Sequence, residues 1–110
     1  MPNYVTLMNW TEQGIKTFEA TVDRADAADA ELNAAGIKFK DIYWTIGAYD
    51  MVAILEAPDE ETLAASLLKL GAVGNLRTST LRAFTADEMR AVSYTHLDVY
   101  KRQVMGGVVE

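Results

Sequence analysis

Short apolar runs along the chain predict strands, and longer stretches with apolar residues three or four apart predict helices. Strands are predicted at residues 4–8, 37–46, 51–56 and 76–84. The first strand is apolar on both faces, because Val5 and Leu7 alternate with Tyr4 and Met8. Residues 47–50 contain a glycine between the second and third strands, which favours a β-hairpin there.

The second predicted strand carries large apolar side chains on both of its faces. Phe39 and Tyr43 are expected on one face of this strand. The opposite face is expected to carry Ile42, Trp44 and Ile46.

Two amphipathic helices are predicted between the strands. The first is expected to begin with Thr21 as its N-cap and to end at Gly36, with a face of mostly small residues: Val22, Ala25, Ala28, Leu32 and Ala35. The second follows Pro58 and is expected to end at Gly71, with a buried stripe formed by Leu63, Leu67, Leu68 and Leu70. Thr85 and Glu88 have the spacing of a capping box for a short last helix.

The element order βαββαβ predicts an α+β, ferredoxin-like fold, with a four-stranded antiparallel sheet and two helices on one face. The first and third strands are central in that topology. Because the helices cover one face only, we expect Tyr4, Met8 and their neighbours to be exposed on the other. A second copy of the chain, packed sheet to sheet, is the simplest cover, so a homodimer through the open sheet face is predicted.

Composition narrows the function classes. With 110 residues, 50% of them hydrophobic and 24% charged, the chain has the size and balance of one globular domain. It has no cysteine, which excludes a disulfide scaffold and a thiolate metal site. No apolar run has the length of a membrane span, and no secretory pattern opens the chain, so a cytoplasmic protein is expected. The net charge of −6 argues against a nucleic-acid partner.

Several separated segments resemble the GYD-domain family. They lie at residues 4–7, 10–11, 14–16, 43–50 and 75–78. The Gly, Tyr and Asp that give the family its name correspond to Gly47, Tyr49 and Asp50. The match spans roughly residues 3–91 and implies a dimeric α/β-barrel relative of the ferredoxin-like fold. It implies no reaction, since the family has no well-established activity.

Trp44, Tyr49, Asp50 and Arg77 are the predicted ligand-binding residues. Residues 47–52 and 57–59 are similar to the hairpin of effector-binding domains in leucine-responsive-type regulators, which bind small metabolites at subunit interfaces. Tyr49 and Asp50 could therefore form a polar rim on a pocket, or could simply stabilise a turn. Arg77 could pair with an acidic residue across the dimer, could bind a ligand carboxylate through its guanidinium fork, or could be the charge that protects an edge strand.

Two further features allow more than one interpretation. Trp10 and Trp44 could line an apolar cavity, or could fill the core of a small domain. Glu56 could be a carboxylate in a cleft, or could be solvated at the end of its strand.

Together, the sequence features described above predict a homodimeric domain that binds or senses a small metabolite, with no cofactor and no metal. His96 is the sole histidine, and no nucleophile triad, phosphate loop or pair of catalytic carboxylates is recognisable. No catalytic residue is therefore assigned, and an enzyme is the less favoured hypothesis. The alternatives are a cofactor-free isomerase or monooxygenase of the dimeric α/β-barrel type, and a purely structural or regulatory partner protein.

The pattern changes after residue 92. Residues 98–103 can be encoded by the transposase end sequence used to prepare sequencing libraries, and the five residues from Ser93 commonly accompany it. We therefore expect a domain over residues 1–92 and an artefactual, peripheral tail over residues 93–110. A lineage-specific extension is the alternative.

Overall fold

The sheet has the predicted ferredoxin-like topology. The computed structural model describes residues 1–94 of the chain. Its antiparallel strands are β1 (Asn3–Trp10), β2 (Lys38–Trp44), β3 (Met51–Glu56) and β4 (Leu76–Ala83). Their order in the sheet is β2-β3-β1-β4, which places β1 and β3 at the centre. The predicted α+β fold class is confirmed.

Three helices connect the strands and cover one face of the sheet: α1 (Glu12–Lys16), α2 (Thr21–Ala34) and α3 (Glu60–Val73), with a short 3-10 turn at Phe18–Ala20. A further helix, α4 (residues 86–94), follows the last strand. The sequence predicts only a polar connection where α1 lies. Thr11 caps α1, since its hydroxyl accepts a hydrogen bond from the Gly14 backbone N–H at 3.0 Å.

The two faces of β1 are the reverse of the prediction. Tyr4 and Met8 are each 4% exposed and belong to the core beneath the helices. Val5 and Leu7 alternate with them and point to the other side, where both remain partly exposed. We call this side the open face; its apolar members are Val5, Leu7, Tyr43, Val52, Ile54 and Leu81.

A β-bulge changes which face of the sheet each residue of β2 occupies. The register with β3 shifts between Phe39 and Asp41, which adds one residue to β2 at Lys40. Phe39 therefore lies on the helix-covered face together with Ile42 and Trp44, while Tyr43 lies on the open face. The prediction that Phe39 and Tyr43 share a face was wrong, because simple alternation fails across a bulge.

Helix ends differ in detail from the prediction. Thr21 is the first residue of α2 rather than its N-cap, and Ala20 occupies the cap position without a side-chain hydrogen bond. Gly71 lies inside α3, which ends instead at Gly74 with a left-handed φ of 95°. Asp59 caps α3, and the hydrogen bond from the Thr62 backbone N–H lowers the pKa of this carboxyl.

The predicted capping box is present at the start of α4. Thr85 and Glu88 exchange hydrogen bonds between side chain and backbone N–H, at 2.8 and 3.1 Å. The bond from the Thr85 backbone N–H lowers the pKa of Glu88. Most of the predicted tail, residues 95–110 with His96, lies outside the described residues.

Candidate functional site

The four predicted ligand-binding residues do not form one cluster. Trp44, Tyr49 and Asp50 lie together around the β2–β3 connection. Arg77 lies on β4, at the opposite edge of the sheet, and pairs with Asn9 on the open face. Because β2 and β4 are three strand spacings apart, Arg77 is separated from Trp44 by about 14 Å across the sheet. The role of these residues in ligand binding stays a prediction.

Asp50 ties the hairpin connection to the end of β1. Its Oδ2 accepts a hydrogen bond from the Trp10 backbone N–H at 2.9 Å, and its own N–H donates to the Met8 carbonyl at 2.9 Å. Its carbonyl accepts from the Thr45 N–H at 2.9 Å. The carboxylate therefore has a structural partner from a distant part of the chain, not from its own turn.

Asp50→Ala should lower the free energy of unfolding by about 2 kcal/mol, because the Trp10 backbone N–H loses its charged acceptor. Asp50→Asn retains an acceptor oxygen and should cost about 1 kcal/mol. Urea unfolding of the two variants measures both values. Equal and negligible losses would contradict a structural role for this hydrogen bond.

Trp44 joins β2 to the start of α2. Its indole Nε1–H donates to the Thr21 hydroxyl at 2.9 Å, and that hydroxyl donates weakly to Met51 Sδ at 3.9 Å. Tyr49 contributes its carbonyl, which accepts from the Thr45 hydroxyl at 2.6 Å, while its ring is partly exposed. The Trp44 side chain thus links β2 to α2, and Tyr49 contributes its backbone carbonyl to the β2–β3 connection.

Glu56, the other carboxylate considered from the sequence, lies at the end of β3. It pairs with Lys40 at 3.5 Å, next to the bulge of β2. Both side chains are partly solvated, so the pair contributes little to stability. This ion pair explains why a carboxylate stands at position 56, and no cleft around Glu56 is needed to explain it.

A cavity of about 180 Å³, partly open to solvent, lies between the helices and the sheet. Its floor is formed by sheet residues, among them Met8, Phe39, Ile42 and Met51, and its roof by α2 and α3. The cavity exists because α2 presents alanines to the sheet. Ala25 and Ala28 are too small to fill the space above Phe39, and only Leu32 of α2 is buried.

Most polar groups on the cavity wall already have partners. Thr21 accepts from Trp44, and the Asn75 side chain accepts from Gln13 Nε2 at 3.0 Å. Arg24 donates to the Thr17 carbonyl and hydroxyl at 2.9 and 2.7 Å, and to a further carbonyl at the end of α1 at 3.3 Å. Arg24 therefore acts as a cap for α1.

Trp10 also lines the cavity. Its indole Nε1 has almost no accessible surface, so it does not face the cavity space, and it has no hydrogen-bond partner among residues 1–94. A buried N–H without a partner costs about 1–3 kcal/mol, so such groups are rare in folded proteins. The sequence marks Trp10 as a possible cavity residue, and the alanines of α2 are the signal that a cavity would form above it.

Two further kinds of feature were looked for among residues 1–94. Residues 1–94 hold no cluster of three or more histidine and carboxylate side chains that could bind a metal ion. Within the same residues, no helix has the length and apolarity needed to cross a bilayer.

Comparison with known proteins identifies a matching family, a similar protein and a similar solved structure. The family model described as the GYD domain matches residues 4–92. A protein of Thermus thermophilus, named glutamine synthetase and cystathionine beta-lyase binding protein, is 30% identical over 92 residues. That alignment covers 83% of this chain and 97% of the relative. The crystal structure of TTHA0845 from the same organism superimposes with a TM-score of 0.50 at 25% identity, covering 78% of this chain and 96% of that one.

Proposed function

The chain belongs to the GYD domain family, and we propose that it is a homodimeric binding protein that holds a small, largely apolar metabolite between its helices and its sheet. The observation that carries this proposal is the cavity of about 180 Å³ above β1 and β3. Binding sites for small molecules are usually concave and mostly apolar, with few polar groups. A cytoplasmic location remains a prediction from the sequence.

The size of the cavity limits the metabolite. An engineered cavity of about 150 Å³ lined by Leu, Ile and Phe stays dry and binds benzene. The cavity of this protein is slightly larger and partly open to solvent; its wall combines similar apolar side chains, including Leu32, Phe39 and Leu76, with the polar residues Arg24 and Glu31. A molecule of the size of a substituted benzene ring therefore fits it. A zwitterionic ligand held by Asp50 and Arg77 would require a different site.

Filling the cavity should abolish binding. We expect ethylbenzene, supplied at ten times its dissociation constant, to add about 1.4 kcal/mol to the free energy of unfolding. For a domain of this size, that gain raises the unfolding midpoint by about 6–11 °C. Ala28→Leu places a larger side chain in the cavity and should remove this shift.

Ala30→Leu is the matched control, since Ala30 is exposed on the same helix and does not line the cavity. This variant should retain the full shift. The proposal is contradicted if ethylbenzene leaves the midpoint of the unmodified protein unchanged. It is also contradicted if Ala28→Leu responds to ethylbenzene as Ala30→Leu does.

A second candidate function is docking onto a metabolic enzyme. It is supported by the name of the Thermus relative, which is called a binding protein for two enzymes. Ile46 offers a contact point, because its side chain is fully exposed in the β2–β3 connection. Co-sedimentation with glutamine synthetase would distinguish this function from metabolite binding. A cofactor-free enzyme, the alternative from the sequence, rests on fold analogy alone.

A further inference from the structure

The cavity continues along the groove between α2 and α3 into a second, smaller pocket. This side pocket has a volume of about 50 Å³. Four residues line both spaces: Ala28, Glu31, Leu32 and Leu70. The side pocket adds two polar residues of α3 to this lining, Ser66 and Lys69. A largely apolar space is therefore followed, in the same groove, by a smaller one with polar groups on its wall.

Two opposite charges at the side pocket have no partner. Glu31 on α2 and Lys69 on α3 are both exposed, and neither forms an ion pair or a side-chain hydrogen bond among residues 1–94. Arg24, the other charged residue on the cavity wall, already donates to three oxygens at the end of α1. One carboxylate and one ammonium group, carried by different helices, are thus available to a ligand.

This pair of charges determines which head group fits the groove. A ligand with a carboxylate alone would be attracted by Lys69 and repelled by Glu31, and a ligand with an ammonium group alone would meet the reverse. Like charges placed together oppose binding, whereas complementary charges favour it. A head group that carries both signs matches both side chains. An α-amino acid has such a head, since its ammonium and carboxylate groups are bonded to the same carbon.

We propose that the groove binds α-amino acids with an apolar side chain of the size of a benzene ring, and that Glu31 accepts from the ligand ammonium group while Lys69 donates to the ligand carboxylate. The apolar side chain would lie in the cavity, between Ala28 and the sheet residues Phe39 and Ile42. This inference rests on the proposed function, because it needs a ligand in the same cavity, and it names the class of that ligand. Glu31 and Lys69 are thus assigned as specificity-determining residues.

Four probes with the same ring separate the contributions of the head group. L-phenylalanine carries both charges, 3-phenylpropionate lacks the ammonium group, phenethylamine lacks the carboxylate, and ethylbenzene lacks both. In calorimetric titrations at low ionic strength, we expect L-phenylalanine to bind about fivefold tighter than either singly charged analogue. This is the upper end of the effect of an ion pair with access to water, about 1 kcal/mol, converted at about 1.4 kcal/mol per factor of ten.

Two variants should change this preference in opposite ways. Glu31→Gln should remove the advantage of L-phenylalanine over 3-phenylpropionate and keep its advantage over phenethylamine. Lys69→Gln should do the reverse. The matched controls are Glu61→Gln and Lys38→Gln, because both residues are exposed and line neither the cavity nor the side pocket. Both controls should retain both advantages. Comparing affinities within one variant cancels any change in its stability.

Exchange of the two charges provides a rescue. Glu31→Lys alone should weaken the binding of L-phenylalanine, and adding Lys69→Glu should restore it, because the head group can turn to face the exchanged charges. If ethylbenzene binds but L-phenylalanine is no tighter than its singly charged analogues, this inference is overturned while the proposed function stands. The same holds if Glu31→Gln and Lys69→Gln behave as their controls do. If none of the four probes binds, both are overturned.

Discussion

Leu7→Lys is expected to prevent the homodimer proposed for this protein from forming. Leu7 lies at the centre of the open face, where its neighbours across the sheet are Val52 on β3 and Ser79 on β4. A lysine there would be buried without a counter-charge in a sheet-to-sheet interface, and the symmetry of a homodimer introduces it twice. Removing one partner of a buried charge pair costs about 3–5 kcal/mol, and an unpaired lysine at an interface belongs to the same range.

A loss of that size raises the dissociation constant of the dimer at least about a hundredfold, by the relation of about 1.4 kcal/mol per factor of ten. Sedimentation equilibrium at micromolar concentration measures it. The unmodified protein should sediment at twice its chain mass of 12.1 kDa, and Leu7→Lys at the chain mass.

Leu68→Lys is the control for this experiment. Leu68 was predicted in the buried stripe of its helix, which was wrong: it is 75% exposed on α3, on the other side of the molecule from the open face. The same substitution there should leave the dimer intact. A monomeric unmodified protein, or equal dissociation of both variants, would show that the open face is not the dimer interface.

The topology could be derived from the sequence, but the orientation of β1 could not. The alternation of apolar and polar residues normally shows which face of a strand is buried. In β1, Tyr4 and Met8 on one face are matched by Val5 and Leu7 on the other, so the pattern is ambiguous. Moreover Thr6, a polar residue, lies on the covered face, where it is 2% exposed and shares a hydrogen bond of 3.0 Å with Thr80.

The same distinction applies to the candidate site. Features set by residues close together in the sequence could be predicted, and contacts between distant residues could not. The alanines of α2 and the tryptophan at the end of β1 are visible in the sequence, and both contribute to the cavity. The partner of Asp50 could not be inferred, because its hydrogen bond reaches Trp10, forty residues away along the chain. The bulge at Lys40 is equally hidden, since it depends on the register with β3.

Gly14→Ala should destabilise the fold by about 3 kcal/mol, at the upper end of the range for inserting a carbon into a packed region. Gly14 is buried in α1, and a Cβ built on it lies 2.0 Å from the carbonyl oxygen of Asn75. Hydrogen bonds hold the start of α1 and the segment around Asn75 in place at this contact. Thr11 donates from its backbone N–H to that same carbonyl at 3.0 Å, and Gln13 donates to the Asn75 side chain at 3.0 Å.

The clash between the added Cβ at Gly14 and the carbonyl of Asn75 cannot be relieved by a side-chain rotation, because this carbonyl belongs to the backbone. Relief requires α1 to move away from the segment that joins α3 to β4, which breaks the hydrogen bonds of Thr11 and Gln13. Thermal unfolding should therefore show a midpoint lowered by about 12–24 °C.

Gly71→Ala is the matched control. Gly71 lies inside α3 with no atom within 4 Å of the added Cβ, so this variant should gain about 0.5–1 kcal/mol from helix propensity. Similar midpoints for the two variants would contradict the close approach of α1 to Asn75, and with it the position of Asn75 on the cavity wall.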